Sequence, residues 1–153
     1  MGDVHTSSCV DLYVEQTRDK ELLKSLIGCD EIINGFTDDA NLENYINNIG
    51  DKHLCYLTVC DGEVAGVLVA LKMHDFDDMK NCYIADIGFF KKYRGKVAQD
   101  LCEMTINKFF NDVKCEHLFA SIDKTNRAAL FNAKRIGFKI INVTEDKYYL
   151  RYE

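Results

Sequence analysis

The sequence has 153 residues, of which 47% are hydrophobic and 29% are charged, as expected for one domain with a single core. Its net charge is −6, so its average field repels phosphate backbones and disfavours nucleic acid as a partner. No apolar run reaches the roughly 18 to 20 residues that cross a membrane, and the N-terminus lacks the pattern of a secretory signal. We therefore expect a single domain over residues 1–153 in the cytoplasm, with no membrane partner.

The chain alternates between extended and helical hydrophobic periods. Strands are predicted at residues 10–14, 53–60, 64–71, 82–90, 117–122, 138–144 and 148–152. Helices are predicted at residues 17–27, 41–49, 97–113 and 126–136, with residues 29–40 as a polar connection. Asp61-Gly62-Glu63 predicts a tight hairpin, and Gly137 is placed to end the last helix. The predicted order of elements is β-α-α-β-β-β-α-β-α-β-β.

The seven cysteines are an odd number, and none forms a C-x-x-C pair. Most lie inside apolar runs, so we expect buried thiols in a reducing compartment. Cys115-Glu116-His117 comes nearest to a metal-binding pair, but it lacks a second pair at zinc-site spacing. No metal site is predicted.

A basic segment joins the predicted strand 82–90 to the helix that follows it. Its four cations are Lys91, Lys92, Arg94 and Lys96. The first N–H groups of a helix have no intrahelical partner and carry partial positive charge, and Gly95 lets the backbone approach an anion. The pattern predicts a diphosphate-binding turn; the alternative is a solvated basic loop that compensates an acidic surface.

Two segments resemble the motifs of the GNAT N-acetyltransferases. Residues 83–98, YIADIGFFKKYRGKVA, resemble the acetyl-CoA-binding motif of that family. Residues 126–138, NRAALFNAKRIGF, resemble its second motif, with Asn126, Ala129, Gly137 and Phe138 at the family's spacing. The resemblance covers essentially the whole chain. It implies an α/β (α+β) fold whose mixed, mostly antiparallel sheet has about seven strands and carries helices on both faces.

The resemblance also implies a cofactor and its contacts. Acetyl-CoA would be the co-substrate, and the acceptor would be a primary amine of a small molecule or peptide. The main chain of Ile87, Gly88 and Phe89 would pair with the pantetheine arm, and Asn126 would hydrogen-bond that arm near the thioester. The pyrophosphate would take backbone N–H groups from the turn formed by Arg94, Gly95, Lys96, Val97, Ala98 and Gln99.

The acetyl-CoA motif is degenerate. Val97 and Gln99 take the places where the family usually has glycines. Because valine does not adopt a positive φ cheaply, the turn is either already helical at Val97 or farther from the phosphates. Ala133 stands where many members place a general-acid tyrosine, and Tyr83 stands where several hold a base glutamate.

Two residues of the strand before the turn are candidates for the chemistry. Asp86 is the only acid in that apolar strand, so we interpret it as the general base, directly or through a water. Tyr83 is a candidate proton donor, and Tyr148 or Tyr149 could replace the missing tyrosine. The alternatives are a structural Asp86 that binds a loop N–H or a basic side chain, and tyrosines that belong to the core.

The leading hypothesis is therefore an acetyl-CoA-dependent N-acetyltransferase. The second is a non-catalytic GNAT-fold module with a structural or interaction role, and the departures from the motif favour this module. A component of a viral particle would be one such role. An exposed edge in the predicted last hairpin, residues 148–152, would let a second copy of the chain or an assembly partner pair with it.

Overall fold

The computed structural model describes residues 10–27, 32–34, 53–72, 81–93 and 96–153. Within them the elements are β1 (Leu12–Thr17), α1 (Lys20–Ile27), β2 (Ile32–Asn34), β3 (His53–Cys60), β4 (Glu63–Lys72), β5 (Asn81–Phe90), α2 (Lys96–Asp112), β6 (His117–Asp123), α3 (Arg127–Ile136), β7 (Lys139–Val143) and β8 (Lys147–Tyr152). The helix predicted at residues 41–49 lies outside the described residues. None of the helices in the described part is long and apolar enough to cross a membrane.

All the strands join one sheet of order β1-β3-β4-β5-β6-β8-β7, and β2 pairs with β5 off this path. Every pair is antiparallel except β5 with β6, which is parallel. The predicted mixed, mostly antiparallel sheet is confirmed. The prediction that residues 29–40 only connect two elements is wrong for residues 32–34, because a strand of three residues is too short to show a hydrophobic period.

Side chains pack on both faces of the sheet, as predicted. The face that carries α2 and α3 holds the main core, whose largest fully buried side chains include Leu101, Ile106 and Phe109 of α2. The opposite face carries α1, and Leu23 of that helix is fully buried there against alternate residues of β3, β4 and β5. We call this second face the α1 face.

At the end of the sheet that holds the last hairpin, the outer strand is not the predicted one. Residues 148–152 lie in β8, which is paired on both sides, with β6 and with β7. The outer strand is β7, and all five of its residues are exposed. The prediction fails because a hairpin pattern does not reveal which of its two strands returns to the sheet.

Four of the described cysteines, Cys55, Cys82, Cys102 and Cys115, are buried free thiols, as predicted. Cys60 is disulfide-bonded, so the prediction of a thiol is wrong at that position. Cys60 is the last residue of β3 and lies opposite Leu12, the first residue of β1.

Candidate functional site

The parallel strands β5 and β6 separate after a short paired stretch. Their pairing joins Asn81 to His117, Cys82 to Leu118 and Tyr83 to Phe119, and it ends there in the described residues. Beyond it β5 continues to Phe90 and β6 to Asp123. A gap therefore opens toward the carboxyl ends of both strands, where α2 and α3 begin, and this is the edge at which sheets of parallel strands bind ligands.

A β-bulge in β5 sets the direction of Asp86. Val69 of β4 lies opposite Asp86 and Ala70 lies opposite Ile84, so Ala85 is an extra residue. Asp86 consequently shares the α1 face with Val69. Its side chain is 1% exposed, and its Oδ1 accepts a hydrogen bond of 2.9 Å from the Ile87 N–H. The structure thus places the carboxylate in a buried position beside the gap; its role as a base stays a prediction.

Tyr83 lies where the gap begins, since it is the last residue of β5 that pairs with β6. Its hydroxyl is hydrogen-bonded to that of Ser121, two residues beyond Phe119 on β6. Ser121 is 5% exposed and lies opposite Tyr149 of β8. Side chains of Tyr83, Ser121 and Tyr149 therefore form a row of hydroxyl-bearing residues on the α1 face.

The structure separates the two tyrosines of the last hairpin that were candidates for the proton donor. Tyr148 packs against the main core, and the Nζ of Lys124 lies 5.7 Å from the centre of its ring. Tyr149 shares the α1 face with Ser121. Of the two, Tyr149 lies on the side of Asp86 and Tyr83.

The helix α2 begins at Lys96, so Val97 is already helical. This decides between the two alternatives for the turn: the missing glycine is accommodated by helical backbone. The first turn contains no acidic side chain, and Val97, Ala98 and Gln99 are half-buried. Arg94 and Gly95, and the side chain of Lys96, lie outside what the structure describes.

One of the cations before α2 has a carboxylate partner on β4. The Nζ of Lys92 lies 2.7 Å from Oε1 of Glu63, and this hydrogen bond is the main cause that raises the pKa of Lys92. The same Nζ lies 5.2 Å from the ring centre of Tyr93, which is buried. The ammonium group of Lys92 is thus paired with Glu63 at the start of β4, and a part for Lys92 in anion binding stays a prediction.

Asn126 caps α3. Its Oδ1 accepts a hydrogen bond of 3.2 Å from the Ala129 N–H, while its own N–H donates to the Asp123 carbonyl at 2.9 Å. The cap uses only the oxygen of the amide, so the Nδ2 donors serve no part of it. Because α3 begins just after β6 ends, these donors lie at the carboxyl-end edge of the gap.

The other end of α3 carries the remaining residues of the second motif. Gly137 has φ 127, and its N–H bonds the carbonyls of Ala133 and Lys134. Ala133 itself is fully buried in the main core. Gly137 thus ends the helix as predicted, and Ala133 brings no hydroxyl to the site.

The main chain predicted to meet a pantetheine arm already has a strand partner. Asn34, Ile33 and Ile32 of β2 lie opposite Gly88, Phe89 and Phe90, respectively. Since β4 takes the other edge of β5, β2 lies on the edge that faces the gap. Ile87 is outside this pairing and is fully buried.

The acetyltransferase (GNAT) family model matches residues 19–138. This chain belongs to the GNAT family. The match includes Asp86, Tyr83, the start of α2 and the whole second motif, so the GNAT resemblance of the sequence is confirmed. A search of curated protein sequences finds no significant match.

Solved structures show the GNAT fold as well. The N-acetyltransferase PseH of Campylobacter jejuni, in complex with acetyl coenzyme A, has a TM-score of 0.67 at 16% identity, covering 94% of this chain and 99% of that one. A Bacillus subtilis acetyltransferase in complex with CoA has a TM-score of 0.65 at 16% identity, covering 94% and 99%. The ribosomal-protein-S18-alanine N-acetyltransferase of Escherichia coli has a TM-score of 0.64 at 13% identity, covering 93% of each chain.

Proposed function

We propose that this GNAT protein is an acetyl-CoA-dependent N-acetyltransferase acting on a primary amine. The observation that carries the proposal is the gap between β5 and β6, with the N-termini of α2 and α3 at its open end. Family relatives solved with acetyl coenzyme A or CoA support the choice of co-substrate. The acceptor proposed for this chain is an amine of a small molecule or a peptide.

The residues of the site suit acetyl-CoA. The start of α2 offers main-chain N–H donors and the positive end of a helix of 17 residues, without an acidic side chain in its first turn. The amide of Asn126 offers its Nδ2 donors near the opposite side of the gap. The edge of β5 at Gly88 and Phe89 has the hydrogen-bonding pattern for a pantetheine arm, although β2 shares it. Diphosphate, amide and thioester groups thus each have a matching partner.

Acetyl transfer forms a bond between the amine nitrogen and the thioester carbon and breaks the bond from that carbon to sulfur. Acetyl-CoA would supply the activated acyl group. Asp86 would accept the proton that the amine loses, directly or through a water, because it is the buried carboxylate on the α1 face beside the gap. The Tyr83 hydroxyl would give a proton to the departing sulfur, so charges balance across the step.

A near-isosteric substitution tests the anion site. Gln99→Glu adds one negative charge to the first turn of α2, where an acid stabilises a helix. We expect the free energy of unfolding to be unchanged or slightly higher, while the acetyl-CoA affinity measured by calorimetry falls about tenfold. The matched control is Asn111→Asp, which makes the same charge change near the other end of α2 and should leave the affinity unchanged.

Measurements of acetyl-CoA binding and of acetyl transfer distinguish an N-acetyltransferase from a non-catalytic GNAT module. A wild-type protein that gives no calorimetric signal or thermal shift with millimolar acetyl-CoA lacks the cofactor site. A protein that binds acetyl-CoA but acetylates no member of a panel of polyamines, amino sugars and peptides is a non-catalytic GNAT module. The buried Ala133, which leaves the usual position of the general acid without a hydroxyl, is the observation that favours this second candidate.

A further inference from the structure

We propose that Ser121 is a positioning residue that holds the Tyr83 hydroxyl for acetyl transfer. In this arrangement the Ser121 O–H donates to the Tyr83 oxygen, which leaves the Tyr83 proton free to point into the gap. The inference rests on the proposed N-acetyltransferase function. It adds to that function a residue outside both segments that resemble the family's motifs.

The position of the hydrogen bond supports this role. Main-chain pairing between β5 and β6 ends at Tyr83 and Phe119, and the side-chain bond from Tyr83 to Ser121 comes next along the two strands. It is therefore the contact that joins the strands at the start of the gap. A tyrosine ring that is only half-buried needs such a contact to keep its hydroxyl in one place.

Burial limits the substitutes for this bond. Ser121 is 5% exposed, so water does not readily replace its hydroxyl. The ring of Tyr83 packs against the buried apolar cluster of the α1 face, and Leu71 lies opposite Tyr83 on β4. The apolar contacts fix the ring plane and Ser121 fixes the oxygen. Together these contacts hold the Tyr83 O–H group in one orientation.

The direction of the bond follows from the chemistry. During transfer the amine proton goes to Asp86 and the Tyr83 proton goes to the sulfur, so Tyr83 becomes a phenolate for an instant. A donor held on the phenolate oxygen stabilises the developing charge without losing its own proton. Solvent then returns a proton to Tyr83 and removes one from Asp86, and the site is restored.

The experiment compares Ser121→Ala with Ser121→Thr, which keeps a hydroxyl on the same carbon. We expect Ser121→Ala to lower kcat roughly ten- to a hundredfold while the acetyl-CoA affinity and the KM for the amine change less than twofold. Ser121→Thr should restore most of the rate. In the Tyr83→Phe background, Ser121→Ala should have little further effect, because the hydroxyl it positions is gone.

A matched control removes another buried hydroxyl pair. Thr58 and Thr105 bond through their side chains at 3.2 Å on the main-core face. Thr105→Val breaks that pair and should reduce stability without lowering kcat per folded molecule. A readout without turnover is the NMR signal of a ¹³C label at Cζ of Tyr83, which should shift in Ser121→Ala and stay in place in Thr105→Val.

Two failures are distinguishable. If the wild type transfers acetyl groups but Ser121→Ala retains full kcat, or its loss adds to that of Tyr83→Phe, Ser121 does not position Tyr83 and the proposed function stands. If the Tyr83 signal does not shift in Ser121→Ala, the bond is absent in solution and the inference is also wrong. If the wild type acetylates none of the amines, the proposed N-acetyltransferase function is wrong, and so is the inference that rests on it.

Discussion

Gly66 of β4 lies directly opposite Phe89 of β5, and the Phe89 ring fills the space where a side chain at residue 66 would begin. A Cβ at this position would lie 2.2 Å from the Gly88 carbonyl oxygen and 2.5 Å from Cδ1 of Phe89. The ring could turn aside, but the carbonyl belongs to the main chain. Gly66 therefore sets how closely β4 and β5 approach, on the edge of β5 opposite the one proposed for the pantetheine arm.

Replacing Gly66 by Ala should consequently cost at least about 2 kcal/mol of unfolding free energy, because the backbone of β5 has to move. Gly62→Ala is the control. It lies in the β3–β4 hairpin with φ 87 and open space around its Cβ position, so only the backbone preference opposes it, by about 1 kcal/mol. Urea melts of both variants give the comparison, and equal losses would contradict the role of Gly66.

Asp86→Asn tests the assignment of the base. The amide keeps an oxygen to accept from the Ile87 N–H but takes no proton, so turnover should fall roughly 10²-fold or more while acetyl-CoA affinity stays nearly constant. Asp112→Asn, at the exposed far end of α2, is the charge-matched control. A variant that loses about 1 to 3 kcal/mol of stability and activity only in proportion would show a structural Asp86.

Asn126 can be tested by separating its cap from its free donors. Asn126→Asp keeps the cap oxygen and removes the Nδ2 donors, so we expect stability within about 0.5 kcal/mol of wild type and a clearly weaker acetyl-CoA affinity. Asn126→Ala should lose about 1 kcal/mol of stability as well. Asn126→Ser, a cap without added charge, shows whether repulsion causes the loss. Wild-type affinity in the Asp and Ser variants would make Asn126 a cap alone.

Buried thiols predict an alkaline loss of stability. Burial raises the pKa of Cys55 to about 11 and that of Cys102 to about 12, from an ordinary 9.0. The unfolded chain releases these protons first, so the stabilisation is complete below pH 9 and disappears as the pH rises through the folded values. Between pH 9.0 and its folded pKa, each thiol lowers the free energy of unfolding by about 1.4 kcal/mol per pH unit. Urea melts from pH 8 to 10.5 should show a shallower slope in Cys102→Ala; an unchanged slope would refute this.

Local signals in the sequence were sufficient for most elements that frame the site. Asn126 and Gly137 are strong cap residues, and the helix between them begins and ends where they indicate. Asp61 and Gly62 both take positive φ in the predicted hairpin. The apolar run before the basic segment forms the predicted strand that carries Asp86, and Asp86 is buried in it. Each of these depends on residues close together in the chain.

Features that depend on distant residues were not predictable in this way. Alternation along β6 indicates that Ser121 and Phe119 share a face of the sheet. The hydrogen bond from Ser121 to Tyr83 can be predicted only when the register of β6 against β5 is known. The pairing of Lys92 with Glu63 likewise depends on the β4–β5 register. Neither the composition nor the hydrophobic period of the sequence identifies Ser121 as the partner of Tyr83 or Glu63 as the partner of Lys92.

The pairing of β2 with β5 has a thermodynamic consequence for any ligand of that edge. Each main-chain group of Gly88 and Phe89 on that side serves one strand-like partner at a time, so β2 is an intramolecular competitor. A pantetheine arm would exchange existing hydrogen bonds for new ones, and its apparent Kd would equal the intrinsic value divided by the fraction of molecules with β2 detached. Sequence changes in residues 32–34 would then tune affinity for the ligand without touching any group that contacts it.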